Sequence, residues 1–175
     1  MADELKTLNT VDYANLKTVN TIAIADMNEL NTIPPCLVEG TPMILADGTE
    51  IPIEMVKPGT ELRTFNVEKG ETDKAEVTWV QEPREVEKYL RIKASDGNVI
   101  GITEEHPIFI MSDEKNGEFI EAGKVQVGQK FLNKDNELVE IVDIKTVEEK
   151  VKVYNATIDK FHNYFGAGML CHNSV

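Results

Sequence analysis

The last residues of the chain are of types that can break a peptide bond. His172-Asn173-Ser174 follows the apolar run Gly166 to Leu170 and Cys171. Asparagine is the one common side chain whose amide nitrogen can attack its own backbone carbonyl. The attack closes a five-membered succinimide and cuts the chain after the asparagine. It is slow unless the carbonyl is polarised and the leaving amine is protonated, and a histidine directly before the asparagine is well placed to help. The residue released here is Ser174, a hydroxyl nucleophile. A His-Asn pair occurs by chance in many proteins, so its weight depends on what lies upstream.

Upstream lies Cys36-Leu37-Val38-Glu39-Gly40-Thr41-Pro42-Met43-Ile44-Leu45-Ala46-Asp47-Gly48-Thr49-Glu50-Ile51-Pro52-Ile53, and between the two ends Thr103-Glu104-Glu105-His106-Pro107. With these three motifs in this order, the chain resembles an intein of the Hint (hedgehog/intein) superfamily from Cys36 to Asn173. The resemblance implies a role for each residue. Cys36 is the first nucleophile, attacking the carbonyl of Pro35 to turn an amide into a thioester. His106 hydrogen-bonds the scissile amide nitrogen and gives it a proton as it leaves, which histidine's titration near neutrality allows. Thr103 holds that geometry. His162 activates the Asn173 side chain or stabilises its tetrahedral intermediate, and His172 assists the same cyclisation. Ser174 accepts the N-terminal segment by transesterification, Asn173 cyclises, and an acyl shift joins the flanks. All three histidines of the chain fall on motif positions. Alone, Cys36 reads as a buried thiol and His106 as a surface histidine.

The chain departs from the family pattern at three places. Where many inteins carry a proton-shuttling aspartate after Val153-Tyr154, this chain has Asn155, with Asp159 nearby. Val-Tyr-Asn, with Glu121-Ala122-Gly123-Lys124 upstream, is closer to the bacterial intein-like subfamily, in which splicing and end cleavage compete. Pro35 crowds the carbonyl under attack, which predicts a slow first step. Cys171 stands where an aliphatic residue is usual. It fills an apolar slot, or bridges to Cys36 as a reducible switch, or joins Cys36 and a histidine in an inhibitory zinc site.

These residues need elements to position them. Asp47-Gly48, Pro58-Gly59 and Asp96-Gly97 are turn signals between short apolar runs. The runs are Met43 to Leu45, Ile51 to Val56, Glu61 to Val67, Glu76 to Gln81, Tyr89 to Ala94, Val99 to Thr103, Ile108 to Met111, Phe119 to Gly123, Lys130 to Asn133, Leu138 to Thr146, Val151 to Ile158 and Phe161 to Phe165. Many short strands with regular turns predict an all-β domain, sandwich or barrel left open. The resemblance implies the Hint horseshoe of bent β-hairpins with pseudo-twofold symmetry, in which the two ends of the domain meet. Residues 1–35 read differently. Leu8-Asn9-Thr10-Val11, Val19-Asn20-Thr21-Ile22 and Leu30-Asn31-Thr32-Ile33 recur every eleven residues, a period that would place one apolar stripe on a helix. Asparagine and β-branched residues oppose that helix. The expected division is a flanking (extein) segment 1–35, a splicing domain 36–173 and flanking residues 174–175.

Only 6% of residues are aromatic, so the core is expected to be aliphatic. The net charge of −13 opposes binding to phosphate backbones, and the span from Cys36 to Asn173 leaves no room for a homing endonuclease. No apolar run reaches the ~20 residues of a membrane helix. Two cysteines and no basic-then-apolar leader suggest a cytoplasmic, reducing setting. The expected activity is single-turnover autocatalytic protein splicing in cis, by a monomer whose substrate is its own flanks. No cofactor, metal, nucleic acid or membrane takes part. The rivals are a domain that mainly cleaves its own ends and an inert all-β binding module.

Overall fold

The computed structural model describes residues 34–113 and 115–173. The periodic stretch within 1–33 and Ser174 lie outside the described residues. The rest is all-β, as expected: β1 (Leu37–Val38), β2 (Pro42–Ile44), β3 (Glu50–Pro52), β4 (Glu61–Asn66), β5 (Glu71–Val80), β6 (Arg84–Val86), β7 (Tyr89–Ala94), β8 (Val99–Ile102), β9 (Pro107–Met111), β10 (Gly117–Glu121), β11 (Lys130–Leu132), β12 (Leu138–Val147), β13 (Val151–Tyr154), β14 (Ala156–Ile158), β15 (Asn163–Gly166) and β16 (Met169–His172). Among the described residues no helix is long and apolar enough to cross a membrane.

Two long strands organise the hairpins. β5 pairs with β4 over its first part and with β14 over its last, with a register shift between Thr157 and Ile158. β12 pairs with β11 and then with β7, with a bulge between Ile141 and Asp143. A bulge adds a residue to one strand and bends it, so each long strand serves two neighbourhoods.

The two halves repeat one local design. Ile53–Met55 and Ala122–Lys124 are matching 3-10 turns. Ile53 N–H donates to Thr41 O, and Ala122 N–H to His106 O, each at 2.9 Å. Gly59 and Gly128 follow at φ 90° and 92°. Their N–H groups donate across to Val77 O and Ile141 O, each at 2.8 Å. That left-handed conformation suits glycine, which has no Cβ to clash. This pairing of Val56-Lys57-Pro58-Gly59 with Val125-Gln126-Val127-Gly128 is the pseudo-twofold relation, and it is faintly legible in the sequence.

The largest core cluster is aliphatic, built around Leu37, Ile92, Ile100, Ile102, Ile108 and Ile141. The phenylalanines Phe65, Phe109 and Phe165 gather in a second cluster with Leu132 and Leu170. Leu37 is fully buried, which contributes on the order of 1.5–3 kcal/mol. Two glycines make room for β1. A Cβ on Gly166 would lie 2.8 Å from Leu37 Cδ1, and one on Gly101 would lie 2.8 Å from Val38 Cγ2. The chain on either side of β1 therefore approaches closely enough to grip it.

One difference from the sequence reading matters for the site. Val151 to Ile158 reads as a single run, but it divides at Asn155. β13 belongs to the large sheet, between β1 and β6, while β14 joins β5 and β4 in a second sheet. A second difference is β16, which no run in the sequence predicts: Cys171 and His172 lie on a strand.

Candidate active site

β1 is held on both sides. Leu37 pairs with Ile102 of β8 and with Tyr154 of β13. Carrying each register back one residue sets Cys36 across from Thr103 on one side and Asn155 on the other. The Thr103 contact is explicit: Cys36 N–H donates to Thr103 Oγ1 at 3.0 Å, and Thr103 N–H donates to Cys36 O at 3.0 Å. The partner of the scissile amide N–H is therefore the threonine hydroxyl, not the histidine to which the family pattern assigned it. Cys36 is fully buried, and burial pushes its thiol up to about 12, with Arg84 opposing and Glu105 adding to the shift.

His106 closes the turn that Thr103 opens, its N–H donating to Thr103 O at 3.2 Å. Its ring is fully buried and lies against the Cys36 backbone. Burial pushes the ring down to about 3, helped by His172 and opposed by the Cys36 contact. At neutral pH the ring is uncharged. Its Nε2 lies 3.5 Å from the hydroxyl of Tyr164, which is 3.3 Å from Asn155 Oδ1.

The C-terminal end arrives as a hairpin. β15 and β16 are joined by Ala167 and Gly168, both at positive φ (47° and 78°), as a two-residue type I′ turn requires. Asn163 pairs with His172, so Asn173 continues opposite His162, and Asn173 N–H donates to His162 O at 2.9 Å. β16 also pairs with β9 through Cys171 and Ile108. Two residues further along that register, Asn173 comes opposite His106. Thr103 and His106 thus stand at the two ends of one turn, the first on Cys36 and the second facing Asn173.

The Asn173 carboxamide is fully buried. Its neighbours set its orientation: the nitrogen donates to His162 O at 2.6 Å and the oxygen accepts from Ile158 N–H at 3.1 Å. His162 sits at φ 51°, a conformation uncommon for a residue with a side chain. His172 is buried, with the Phe119 ring edge-on at 5.0 Å and Phe109 beyond it at 4.9 Å. Burial pushes His172 down to about 4, with His162 adding to the shift.

Cys171 is buried and free, its Sγ 3.6 Å from Met169 O. Burial pushes its thiol up to about 12. Cys36 is free as well. Among the described residues no three His, Cys, Asp or Glu side chains lie together as a metal site, so the zinc arrangement lacks its ligand set. Sequence reasoning missed two groups. Asn163 accepts from Phe65 N–H and donates to Phe65 O, each at 2.9 Å, which pins the His162 loop to β4. Tyr164 connects His106 to Asn155. The only signal for either was a polar atom inside an apolar run.

Residues 43–174 match the pretoxin HINT domain family. The solution structure of a bacterial intein-like domain from Clostridium thermocellum is 32% identical, covers 81% of this chain and 100% of its own, and superposes with a TM-score of 0.72. Two crystal structures share the fold at lower identity. The gp41-1 intein is 19% identical over 81% of this chain and 100% of its own, with a TM-score of 0.66. A DnaB intein from Synechocystis sp. PCC 6803 is 17% identical over 81% and 99%, with a TM-score of 0.67. No curated protein matches the chain. The architecture is the Hint horseshoe.

Proposed function

The chain belongs to the pretoxin HINT family, and from that premise we propose that it splices itself in cis. The Cys36 thiol attacks the Pro35 carbonyl carbon. The carbon–nitrogen bond breaks, a thioester forms, and the Cys36 nitrogen leaves as an amine. The Ser174 hydroxyl then attacks the thioester and takes over the N-terminal segment as an ester, returning the thiol. The Asn173 amide nitrogen attacks its own carbonyl, closing a succinimide and freeing the amine of Ser174. That amine attacks the ester, so residue 35 becomes joined to residue 174 through an ordinary peptide bond.

One observation supports this reading above others: Cys36 and Asn173, far apart in the chain, converge on the two buried ends of the single turn Thr103 to His106. Proximity of this kind replaces an encounter in solution and removes much of its entropic barrier. The Thr103 hydroxyl holds the scissile N–H. His106 and His172, uncharged at neutral pH, can each accept one proton and pass it to a leaving amine. His162 supplies the carbonyl that accepts from the Asn173 nitrogen, a contact that leaves electron density on the attacking atom.

Intact-mass analysis of freshly purified chain at neutral pH under reductant is the test. The expected products are the excised 36–173 and a ligated product in which residue 35 is joined to residue 174. Cys36→Ala should leave only cleavage after Asn173, and Asn173→Ala only thiol-sensitive cleavage before Cys36. Severed ends with no ligated product would reduce the activity to self-cleavage. A single unchanged mass shared with the double variant would mean an inert domain.

A further inference from the structure

We propose that Asn155 and Tyr164 are positioning residues that hold the His106 ring with its proton on Nε2, so that the Nδ1 lone pair is kept free to take a proton in the first step. The inference deepens the reading of Cys36 and His106 as the first-step pair and rests on it for its consequence, though not for its geometry.

The hydrogen-bond relay begins at a backbone amide. Ala156 N–H donates to Asn155 Oδ1 at 2.9 Å. A backbone N–H can only donate, so that atom is the oxygen and the carboxamide has one orientation. Asn155 is 1% exposed and stands where the chain leaves one sheet for the other, which fixes its position as well. The Tyr164 hydroxyl lies 3.3 Å from the same oxygen. A carboxamide oxygen carries no hydrogen, so the hydroxyl must donate to it. The phenol oxygen then has only lone pairs to offer His106 Nε2, 3.5 Å away, and Nε2 must carry the ring proton. Tyr164 is fully buried, and burial, reinforced by the two cysteines, raises its hydroxyl well above the ordinary value, so it keeps its hydrogen. A neutral imidazole has one N–H. Nδ1 is therefore bare.

This accounts for an otherwise unexplained atom. His106 Nδ1 is buried and makes no hydrogen bond within the described residues, a situation that costs a stable protein and calls for a reason. With Nε2 committed to Tyr164, Nδ1 is the one ring nitrogen with no partner, on a ring that lies against the Cys36 backbone; it is the nitrogen assigned to the first-step proton. The thiol is protonated at rest, so it must lose its proton to an acceptor, and Nδ1 is a buried lone pair that nothing else engages. In the step that follows, Cys36 Sγ gives its proton to Nδ1 as the sulfur–carbon bond to Pro35 forms. The imidazolium passes the proton to the Cys36 nitrogen as the carbon–nitrogen bond breaks. One bond forms, one breaks, and one proton moves from sulfur to nitrogen. Asn155 has no proton to shuttle; on this account it needs only an oxygen.

The test is the ring tautomer, read by nitrogen-15 NMR of the full chain carrying Cys36→Ser and Asn173→Ala to block processing. The expected spectrum has a protonated Nε2 and a bare Nδ1 at His106. Adding Asn155→Leu removes the acceptor from Tyr164; its hydrogen then turns to Nε2, and the ring proton moves to Nδ1. Asn155→Asp keeps an oxygen and should keep the original pattern. If Asn155→Leu fails to fold, Tyr164→Phe serves instead, with a mixed population expected. In the processing-competent chain, Asn155→Leu should slow thioester formation about 100-fold, and Asn155→Asp should recover it to within a few-fold. A proton on Nδ1 in the starting chain, or an unchanged tautomer in the leucine variant, overturns the inference. A tautomer that inverts while thioester formation is unaffected leaves the inference standing and removes His106 from the first step.

Discussion

Acid should unfold this domain through two of its rings. His106 is pushed from 6.5 down to about 3 and His172 from 6.5 to about 4, each chiefly by burial. In the unfolded chain both rings return to about 6.5. As pH falls below that value the unfolded state takes up two protons that the folded state refuses. A group whose folded value is depressed contributes fully above its unfolded value and loses that contribution as pH falls toward the folded one. The windows are therefore pH 6.5 to 3 for His106 and 6.5 to 4 for His172. Each ring costs about 1.4 kcal/mol per pH unit. Together, between pH 6.5 and 4.5, they remove about 5 kcal/mol, comparable with the whole stability of a marginal domain. Partly buried Glu105 opposes them: burial raises its carboxyl, so the folded state gains its proton first and is favoured as pH falls. That is one group against two. The lowered carboxyls of Asp47, Glu85 and Asp113 are fully exposed and act only below the ordinary carboxylate range. Urea unfolding of the Cys36→Ala, Asn173→Ala chain in half-unit steps from pH 7.5 to 4.5 measures the slope directly. It should approach two protons below pH 6, and His106→Gln should remove about one. A flat curve over that range, or a slope indifferent to His106→Gln, would refute the reasoning.

Other outcomes follow from the same packing. Gly166→Ala would put a Cβ 2.8 Å from Leu37 Cδ1; overpacking of this kind costs about 1–3 kcal/mol, so a thermal melt should move down and thioester formation should fall with it. Asn163→Ala leaves the buried Phe65 amide and carbonyl unpaired, a loss of about 1–3 kcal/mol. Because that side chain anchors the His162 loop, cleavage after Asn173 should slow more than hydroxylamine-trapped cleavage before Cys36, and equal slowing would refute the anchoring role. Pro35→Gly takes a ring away from the carbonyl under attack and should speed the first step, read as the rate of thiol-induced N-terminal cleavage; an unchanged rate removes the steric explanation.

The residue types at both ends, the Thr103 to His106 block and the all-β texture were legible in the chain because each is local. Asp-Gly and Pro-Gly mark turns wherever they occur, and β-branched runs such as Leu138 to Thr146 declare strands by composition alone. Pairing is different. Nothing between Val151 and Ile158 announces that the run divides at Asn155, because the division is enforced by β1 and β6 on one side and β5 on the other. β16 escaped notice because Cys171 and His172 have no strong strand preference; what makes them a strand is β15 beside them and β9 beyond. The hydroxyl that holds the scissile N–H and the phenol that joins His106 to Asn155 depend on registers between segments 58 and 67 positions apart. The sequence by itself determined which groups could react. Only the tertiary structure decided which of them meet and which are kept uncharged, since hydrogen-bond partners and burial are properties of the space between distant segments and not of any segment alone.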